Sequence, residues 1–207
     1  MRPVILSFMK DPPNIVTLLG LSCGVLGIYF ALVGNFPAAM IAMLWAVLFD
    51  WYDGVVAHRM PGRSDTFRSV GAKMDSLVDI VSLAVCPAII LLSYGGFSAW
   101  FFPGALAIVM AGVVRLAYFD IFGVDKDGTI SGLSLDITPL MVALVFLLEG
   151  EMDHGAFVVV LYTIMVVLSF LHVAPFRMRK MVGRWYHVIT VYVLILTVRY
   201  AFILGAG

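Results

Sequence analysis

Four aspartates stand in two closely spaced pairs within otherwise apolar stretches of the sequence. They are Asp50, Asp53, Asp75 and Asp79. The first pair is spaced i, i+3 and the second i, i+4, and either spacing places both side chains on one face of a helix. A charged carboxylate at the centre of a membrane helix costs about 2.5–3.5 kcal/mol, so it must face something polar. The pattern therefore predicts one polar site at which four carboxylates converge.

Carboxylates at one site repel one another, and bound cations stabilise them in the ionised state. Hard oxygen ligands favour magnesium, manganese or calcium. Two metal ions about 3.5–4 Å apart would suit four carboxylates and a phosphoryl reaction. Gly54 and Ala57 continue the face of Asp50, and Gly71 precedes Asp75 by one turn, which leaves room for a bulky ligand. Two alternatives would use the same acids: protonated or paired structural carboxylates, and a cation-coupled transporter.

The composition places these acids in a membrane protein. Of the 207 residues, 62% are hydrophobic and only 13% are charged, whereas soluble domains carry about 25% charged residues. Apolar stretches between turn signals predict spans at 14–34, 36–58, 71–94, 97–120, 133–149, 154–174 and 185–206. We expect a single domain over residues 1–207, an all-α polytopic bundle of residues 14–206 that follows an interfacial amphipathic segment at residues 1–12.

The positive charges predict the orientation of this bundle. Eleven of the thirteen Lys and Arg residues fall in connections on one side, namely Arg2, Lys10, Arg59, Arg63, Arg68, Lys73, Lys126, Arg177, Arg179, Lys180 and Arg184. Arg115 lies in the fourth span near the same side, and only Arg199 points to the other. Because cytoplasmic connections are enriched in Lys and Arg, the N-terminus and the acidic helix ends are predicted to be cytoplasmic. A transporter would instead favour acids near mid-membrane and an inverted repeat.

The spacing of the acids and glycines resembles the signature of the CDP-alcohol phosphotransferase (CDP-alcohol phosphatidyltransferase) family, D-x2-D-G-x2-A-R-x8–9-G-x3-D-x3-D. The matching residues are Asp50, Asp53, Gly54, Ala57, Gly71, Asp75 and Asp79. His58 stands where the family has arginine, and twelve residues separate it from Gly71. Arg59 is the first candidate for the phosphate-binding arginine, with Arg63 and Arg68 as alternatives.

This resemblance implies a six-helix core, to which the chain would add a seventh span, and transfer of a phosphatidyl group from CDP-diacylglycerol to a small alcohol. It implies two Mg²⁺ or Mn²⁺ ions on the four aspartates and a role for Asp79 as the base. Residues 13–17 are similar to the family's P-N-x-x-T segment, so the nucleotide and phosphate would be bound by Asn14, Thr17, Asp53, Gly54, Ala57, Arg59, Gly71 and Asp75. The expected partners are the two substrates and membrane lipids, without nucleic acid, and family members are often homodimers. The expected location is the cytoplasmic (inner) membrane.

Three further segments resemble the phosphatidylserine synthase branch of the family. They are residues 75–88, residues 115–120 and the pair Gly132-Leu133. L-serine is therefore the first choice of acceptor, and Arg115 can bind its carboxylate through two hydrogen bonds. Asp120 and Asp136 make the predicted acceptor pocket more acidic than the branch pattern would.

Other acceptors remain alternatives at the level of the sequence. Ethanolamine or choline would need only acids or aromatic rings around its cation. Inositol phosphate or glycerol phosphate would need a basic pocket. Basic residues for it are available in one cytoplasmic connection, at Arg177, Arg179, Lys180 and Arg184, although these also suit contact with lipid headgroups.

Overall fold

A computed structural model of the chain describes residues 3–206, which form a bundle of helices. The α-helices are α1 (Pro12–Leu32), α2 (Phe36–His58), α3 (Asp65–Asp79), α4 (Cys86–Tyr94), α5 (Phe102–Phe122), α6 (Ile137–Val145), α7 (His154–Val173) and α8 (Trp185–Ala206). Arg2, which was counted among the predicted cytoplasmic charges, lies outside the described residues. The predicted interfacial segment contains a 3₁₀ helix over Ile5–Lys10.

Six helices of the described chain are long and apolar enough to cross a membrane. They are α1, α2, the continuous helix Asp65–Tyr94 that contains α3 and α4, the helix Ala99–Phe122 that contains α5, and α7 and α8. The predicted all-α membrane bundle is thereby confirmed. The helix that contains the third predicted span begins at Asp65, earlier than residue 71, because Ser64 caps it by accepting a hydrogen bond from the Phe67 amide at 3.4 Å.

The fifth predicted span, 133–149, is shorter and lies later in the chain than its prediction. It consists of α6 followed by a 3₁₀ helix over Phe146–Glu151, together about 25 Å long at the usual rises per residue. Glu149 accepts a hydrogen bond from the Tyr94 hydroxyl at the far end of α4. This segment therefore runs the length of the bundle, although it is too short to count among the six long helices.

A stripe of glycines brings α1 close to α2 and to the helix that contains α3 and α4. Gly20, Gly24 and Gly27 are buried. A Cβ atom at Gly24 would collide with the Ser82 hydroxyl and lie 2.9 Å from Ser82 Cβ, and one at Gly27 would lie 2.9 Å from Cys86 Sγ. The absence of side chains here lets the backbones approach closely, as is common between membrane helices. The same contact places the N-terminal end of α1 beside Asp53 of the first acidic pair.

The helix that carries the second acidic pair widens into a π turn directly after Asp79. The π segment covers Ile80–Val85, and the Cys86 amide donates to the Val81 carbonyl five residues back. Pro87 follows, and a proline ring in a regular α-helix would clash with the carbonyl four residues earlier. The wider turn accommodates this ring, and π turns often occur at functional sites.

Two connections form a short antiparallel ribbon at the end of the bundle that carries the acids, here called the acidic end. Strand β1 (Thr129–Ser131) pairs with β2 (Arg177–Arg179), with Ile130 opposite Met178. The turn before β1 is held by Asp127, which accepts hydrogen bonds from the hydroxyl and the amide of Thr129 at 2.6 and 3.1 Å. These bonds lower the pKa of the exposed Asp127 carboxyl. The ribbon covers the mouth between α5, α6 and α8.

Candidate active site

The four predicted aspartates meet at the acidic end, between the last turns of α2 and the second half of α3. Single carboxylate oxygens of Asp50, Asp75 and Asp79 lie within 4.8 Å of one another. Asp53 lies beside this trio, and its carboxyl group contacts that of Asp75. Because α2 and α3 are joined by a short connection, they run antiparallel and bring both pairs to the same depth.

Thr17 of α1 fixes Asp53 on the side of the cluster that faces α1. Its hydroxyl donates to Asp53 Oδ2 at 2.5 Å, and both residues are buried. The amide nitrogen of Asn14, one turn earlier, donates to the Phe8 carbonyl at 2.9 Å. The start of α1 therefore lies against the acidic cluster.

The donor set of this cluster fits divalent metal ions. It consists of carboxylate oxygens, the hard ligands that Mg²⁺ and Mn²⁺ prefer. Asp75 Oδ1 is buried and has no hydrogen-bond partner among the described residues, and a buried acceptor without a partner is costly. Asp50 and Asp79 also contact each other. Bound cations would pair with the unpartnered oxygen and offset the mutual repulsion of the carboxylates.

A cavity of about 430 Å³ opens on the α1 side of the cluster, and we call it the nucleotide-side cavity after the ligand that its residues are expected from the sequence to bind. It is lined by residues of α1, α2, α3 and the connection between α2 and α3, including Asn14, Thr17, Asp53, Gly54, Ala57, His58, Arg63, Arg68, Gly71 and Asp75. Open space surrounds Gly54, with nothing within 4 Å of a Cβ added there. At Gly71 a Cβ would lie 2.8 Å from Asn14 Oδ1. The small residues of the motif therefore shape the cavity, and seven of the eight residues expected to bind nucleotide and phosphate line it.

The exception is Arg59, the first candidate for the phosphate-binding arginine. Its side chain is exposed at the C-terminus of α2 and does not line the cavity. Arg63 does line it, pairs with Asp11 and donates to the Phe67 carbonyl at 3.2 Å. Arg68 also lines it and donates to the Pro61 carbonyl at 2.8 Å. The structure therefore favours the two alternative arginines, because the lengthened connection folds back over the cavity.

A second cavity of about 420 Å³ lies on the other side of the cluster, and we call it the acceptor-side cavity after the ligand expected there from the sequence. It is lined by all four aspartates and by residues of α2, α3, α5, α8, the ribbon and the connections that precede α6 and follow β2, among them Trp51, Ser76, Arg115, Phe119, Asp120, Ser134, Asp136, Met178, Lys180 and Tyr186. Asp53, Gly54, Ala72 and Asp75 line both cavities. Asp50 and Asp79 line only this one, so the cluster stands between two spaces with distinct walls.

Arg115 of α5 is the buried cation of the acceptor-side cavity. It is 5% exposed, and its Nε atom donates to the Leu133 carbonyl at 2.9 Å. The guanidinium carbon lies 5.1 Å from the centre of the Phe119 ring. Within residues 3–206, its terminal nitrogens have no hydrogen-bond partner or ion pair. They remain available to a ligand.

The two further acids predicted for the acceptor have different surroundings. Asp120 pairs with Lys73 at 2.6 Å and accepts a hydrogen bond from the Ser76 hydroxyl at 2.8 Å. Asp136 is 5% exposed and accepts a hydrogen bond from the Trp51 indole at 2.9 Å. Asp120 is therefore satisfied by side chains of α3, whereas Asp136 has one oxygen to spare.

Ser134, Met178 and Tyr186 line this cavity, belong to no motif and were not predicted from the sequence. Lys180 follows β2, lines the cavity and lies 5.3 Å from the Phe119 ring centre. Buried His172 lies outside this lining. Its Nε2 atom is 2.6 Å from the Thr138 hydroxyl, and its Nδ1 atom is 3.1 Å from the Leu133 carbonyl that Arg115 also contacts. The alternative basic pocket is not assembled, because Arg177, near Asp125 and Asp127 at 3.8 and 3.9 Å, does not line the cavity, and neither does Arg179 or Arg184.

Comparisons with known proteins agree with this geometry. A family model described as CDP-alcohol phosphatidyltransferase matches residues 11–196. Archaetidylserine synthase from Methanothermobacter thermautotrophicus is 35% identical over 162 residues, which cover 76% of this chain and 67% of that protein.

Two bacterial relatives carry the name CDP-diacylglycerol–serine O-phosphatidyltransferase. The protein from Bacillus subtilis is 28% identical over 115 residues, covering 55% of this chain and 63% of the relative. The protein from Helicobacter pylori is 28% identical over 142 residues, covering 67% and 58%. The chain thus spans about three fifths to two thirds of the length of these relatives.

Proposed function

The chain belongs to the CDP-alcohol phosphatidyltransferase family, and from that premise we propose that it transfers the phosphatidyl group of CDP-diacylglycerol to the hydroxyl group of L-serine and releases CMP. The observation that carries this proposal is the position of the acidic cluster between two cavities that share only Asp53, Gly54, Ala72 and Asp75. A reaction that joins two molecules at a phosphate needs such an arrangement, with one reactant on each side of the acids.

The nucleotide-side cavity is the proposed place of the cytidine diphosphate group. Asn14, Thr17 and the open face at Gly54 line it, and Arg63 and Arg68 bring positive charge toward it. Arginine is suited to a diphosphate because its planar fork can form two hydrogen bonds at once. The diacyl tails would remain in the surrounding lipid, since the cavity lies at the ends of apolar helices.

Two divalent metal ions, Mg²⁺ or Mn²⁺, would be held by Asp50, Asp53, Asp75 and Asp79. When bound, they would offset the charge of the diphosphate and stabilise CMP as a leaving group. The donor chemistry of the cluster and the unpartnered Asp75 Oδ1 support this assignment.

Asp79 is the proposed base. Of the two cavities it lines only the acceptor-side one, so it can reach a hydroxyl group there. It takes the proton while the serine oxygen forms a bond to the phosphorus that carries diacylglycerol, and the bond from this phosphorus to the bridging oxygen of CMP breaks. The departing electron pair stays on CMP, and no covalent intermediate with the protein forms. Because a carboxylate is a weak base for an alcohol, positioning contributes most of the rate.

Serine is favoured over the alternative acceptors by the cavity and by the relatives. The three relatives all carry serine in their names. Buried Arg115 has terminal nitrogens free for a carboxylate, which ethanolamine and choline lack. The acidic side chains of the cavity wall, which include the four clustered aspartates and Asp136, outnumber its basic side chains, Arg115 and Lys180. This excess of negative charge disfavours acceptors that carry a phosphate group of their own, such as glycerol phosphate and inositol phosphate.

The positive-inside pattern supports a cytoplasmic active site in the cytoplasmic membrane of an integral membrane protein. The acidic end carries the basic residues Arg63, Lys73, Arg177 and Lys180.

The test is CMP release from CDP-diacylglycerol by the purified protein, with and without Mg²⁺ or Mn²⁺. Serine, ethanolamine, choline, glycerol phosphate and inositol phosphate are compared at equal concentrations. We expect metal-dependent release that is fastest with serine. A chain that released no CMP with any of the five acceptors would not have this function, and faster release with another acceptor would correct the assignment of serine.

A further inference from the structure

Asp136 is a buried carboxylate with only one of its two oxygens hydrogen-bonded. It is 5% exposed and lines the acceptor-side cavity. Its Oδ2 atom accepts the Trp51 indole hydrogen bond, but Oδ1 is buried without any partner among residues 3–206. Leaving a buried acceptor unpaired destabilises the folded chain, and more so when the acceptor is charged. This cost calls for a ligand or a structural reason.

The ordinary structural reasons for an aspartate at this position are missing. Asp136 occupies the N-cap position of α6, yet its side chain makes no capping hydrogen bond. No ion pair within 4.0 Å joins it to Arg115 or to any other cation in the described part of the chain. The positive end of α6 favours a negative charge here, and the Trp51 hydrogen bond fixes the orientation of the carboxyl group. The carboxyl group is thus held in one orientation, and its Oδ1 atom can accept a hydrogen bond that no described residue of the protein donates.

The surroundings of Asp136 suit a small cation. The rings of Trp51 and Tyr186 both line the cavity, with their centres 5.2 Å apart and their planes nearly perpendicular. Aromatic faces and a carboxylate together attract an ammonium group. Arg115, whose terminal nitrogens are unpartnered, stands in the same cavity. One wall therefore offers a free carboxylate oxygen and free guanidinium nitrogens next to Asp79.

We propose that Asp136, oriented by Trp51, binds the ammonium group of the acceptor through Oδ1, while Arg115 binds its carboxylate. This inference rests on the proposed function and deepens it, because it assigns the acceptor to the class of zwitterionic hydroxy-amino acids. Asp136 is a specificity residue here: it contacts the substrate away from the reacting oxygen. Ethanolamine would satisfy Asp136 but not Arg115, and a hydroxy acid would satisfy Arg115 but not Asp136.

Two analogues of serine separate these contacts. Ethanolamine is serine without the carboxylate, and 3-hydroxypropionate is serine without the ammonium group. Steady-state CMP release is measured with each acceptor for the unmodified chain and for Asp136→Asn. We expect Asp136→Asn to lower kcat/KM for serine by about tenfold or more, mainly through KM, and to change kcat/KM for 3-hydroxypropionate by less than about threefold.

Trp51→Phe tests the same contact while keeping the carboxylate. It retains an aromatic ring beside Tyr186 but removes the indole hydrogen bond, so we expect a smaller loss that is again confined to acceptors with an amino group. Asp153→Asn is the matched control, because it makes the same chemical change at the N-cap of α7, far from the acidic end. Asparagine also caps helices, so this variant should behave like the unmodified chain.

The proposal and the underlying function fail in different ways. If no acceptor releases CMP from the unmodified chain, the proposed function is wrong. If serine releases CMP but Asp136→Asn leaves serine use unchanged, or lowers the use of serine and 3-hydroxypropionate by the same factor, the ammonium site is wrong. Should Asp136→Asn not fold, equal kcat/KM values of the unmodified chain for serine and 3-hydroxypropionate would overturn it.

Discussion

Asp79, the proposed base, lines the acceptor-side cavity and belongs to the trio within 4.8 Å. We expect Asp79→Asn to lower the rate of CMP release at saturating substrates by about 10²–10⁴-fold, because asparagine cannot take the proton of the hydroxyl group. Asp65→Asn, the same change at the exposed start of α3, should keep the rate of the unmodified chain.

The measurement is a single-turnover assay in Mn²⁺, with metal binding followed by electron paramagnetic resonance. Loss of turnover with Mn²⁺ still bound supports Asp79 as the base. Turnover near that of the unmodified chain, with Mn²⁺ bound, would show that another group accepts the proton.

Arg63 is the arginine that the lengthened connection brings to the nucleotide-side cavity. We expect Arg63→Gln to raise KM for CDP-diacylglycerol by about tenfold, because a charge-assisted contact to the diphosphate is lost. KM for serine should stay within about twofold, which separates this effect from general disruption of the fold. Arg59→Gln is the matched comparison, and a larger rise in KM with that variant would return the role to the first candidate.

For single residues, the sequence predicts which side chains share a helix face, because their spacing along the helix determines this. The four aspartates come together because their i, i+3 and i, i+4 spacings place each pair on one face of its helix, whereas Thr17 was expected from the resemblance of residues 13–17 to a family segment. The partners of Asp120 could not be predicted in this way, since Lys73 and Ser76 reach it only after α3 packs against α5. The Trp51–Asp136 hydrogen bond likewise joins residues 85 positions apart.

The contact between α1 and the π turn depends on Gly24. We expect Gly24→Ala to destabilise the bundle by about 1–3 kcal/mol, because the new methyl group would collide with the Ser82 side chain. Thermal unfolding in detergent, followed by circular dichroism, should show a midpoint lower by about 3 °C or more. Gly155→Ala is the control, since nothing lies within 4 Å of a Cβ there; an equal drop in both variants would argue against the close contact.

Among the elements, long apolar stretches were predictable and interrupted ones were not. Six long helices follow from hydropathy and length. The π turn at Ile80–Val85 has no hydropathy signal, and its trace in the sequence is Pro87. The ribbon pairs Thr129–Ser131 with Arg177–Arg179 across two connections, and three-residue strands carry too few side chains to show alternation.

The orientation of the whole molecule can be tested by cysteine labelling. Cys86 is buried, and replacing Cys23 by serine removes the other native thiol. In that background we expect Lys126→Cys to react with a membrane-impermeant maleimide in inside-out vesicles only, because the acidic end is proposed to be cytoplasmic. Met152→Cys, at the opposite end of the bundle, should react in right-side-out vesicles only. The reverse pattern for the two variants would invert the proposed topology.

The two cavities share four residues but have otherwise separate walls, and this separation affects the order in which substrates bind and products leave. A lipid nucleotide in one cavity leaves the other open, so each substrate can arrive and depart by its own route. Initial-rate plots against one substrate at several concentrations of the other should then intersect rather than run parallel. CMP should compete with CDP-diacylglycerol and leave serine binding almost unaffected. The phospholipid product can then dissociate before CMP does.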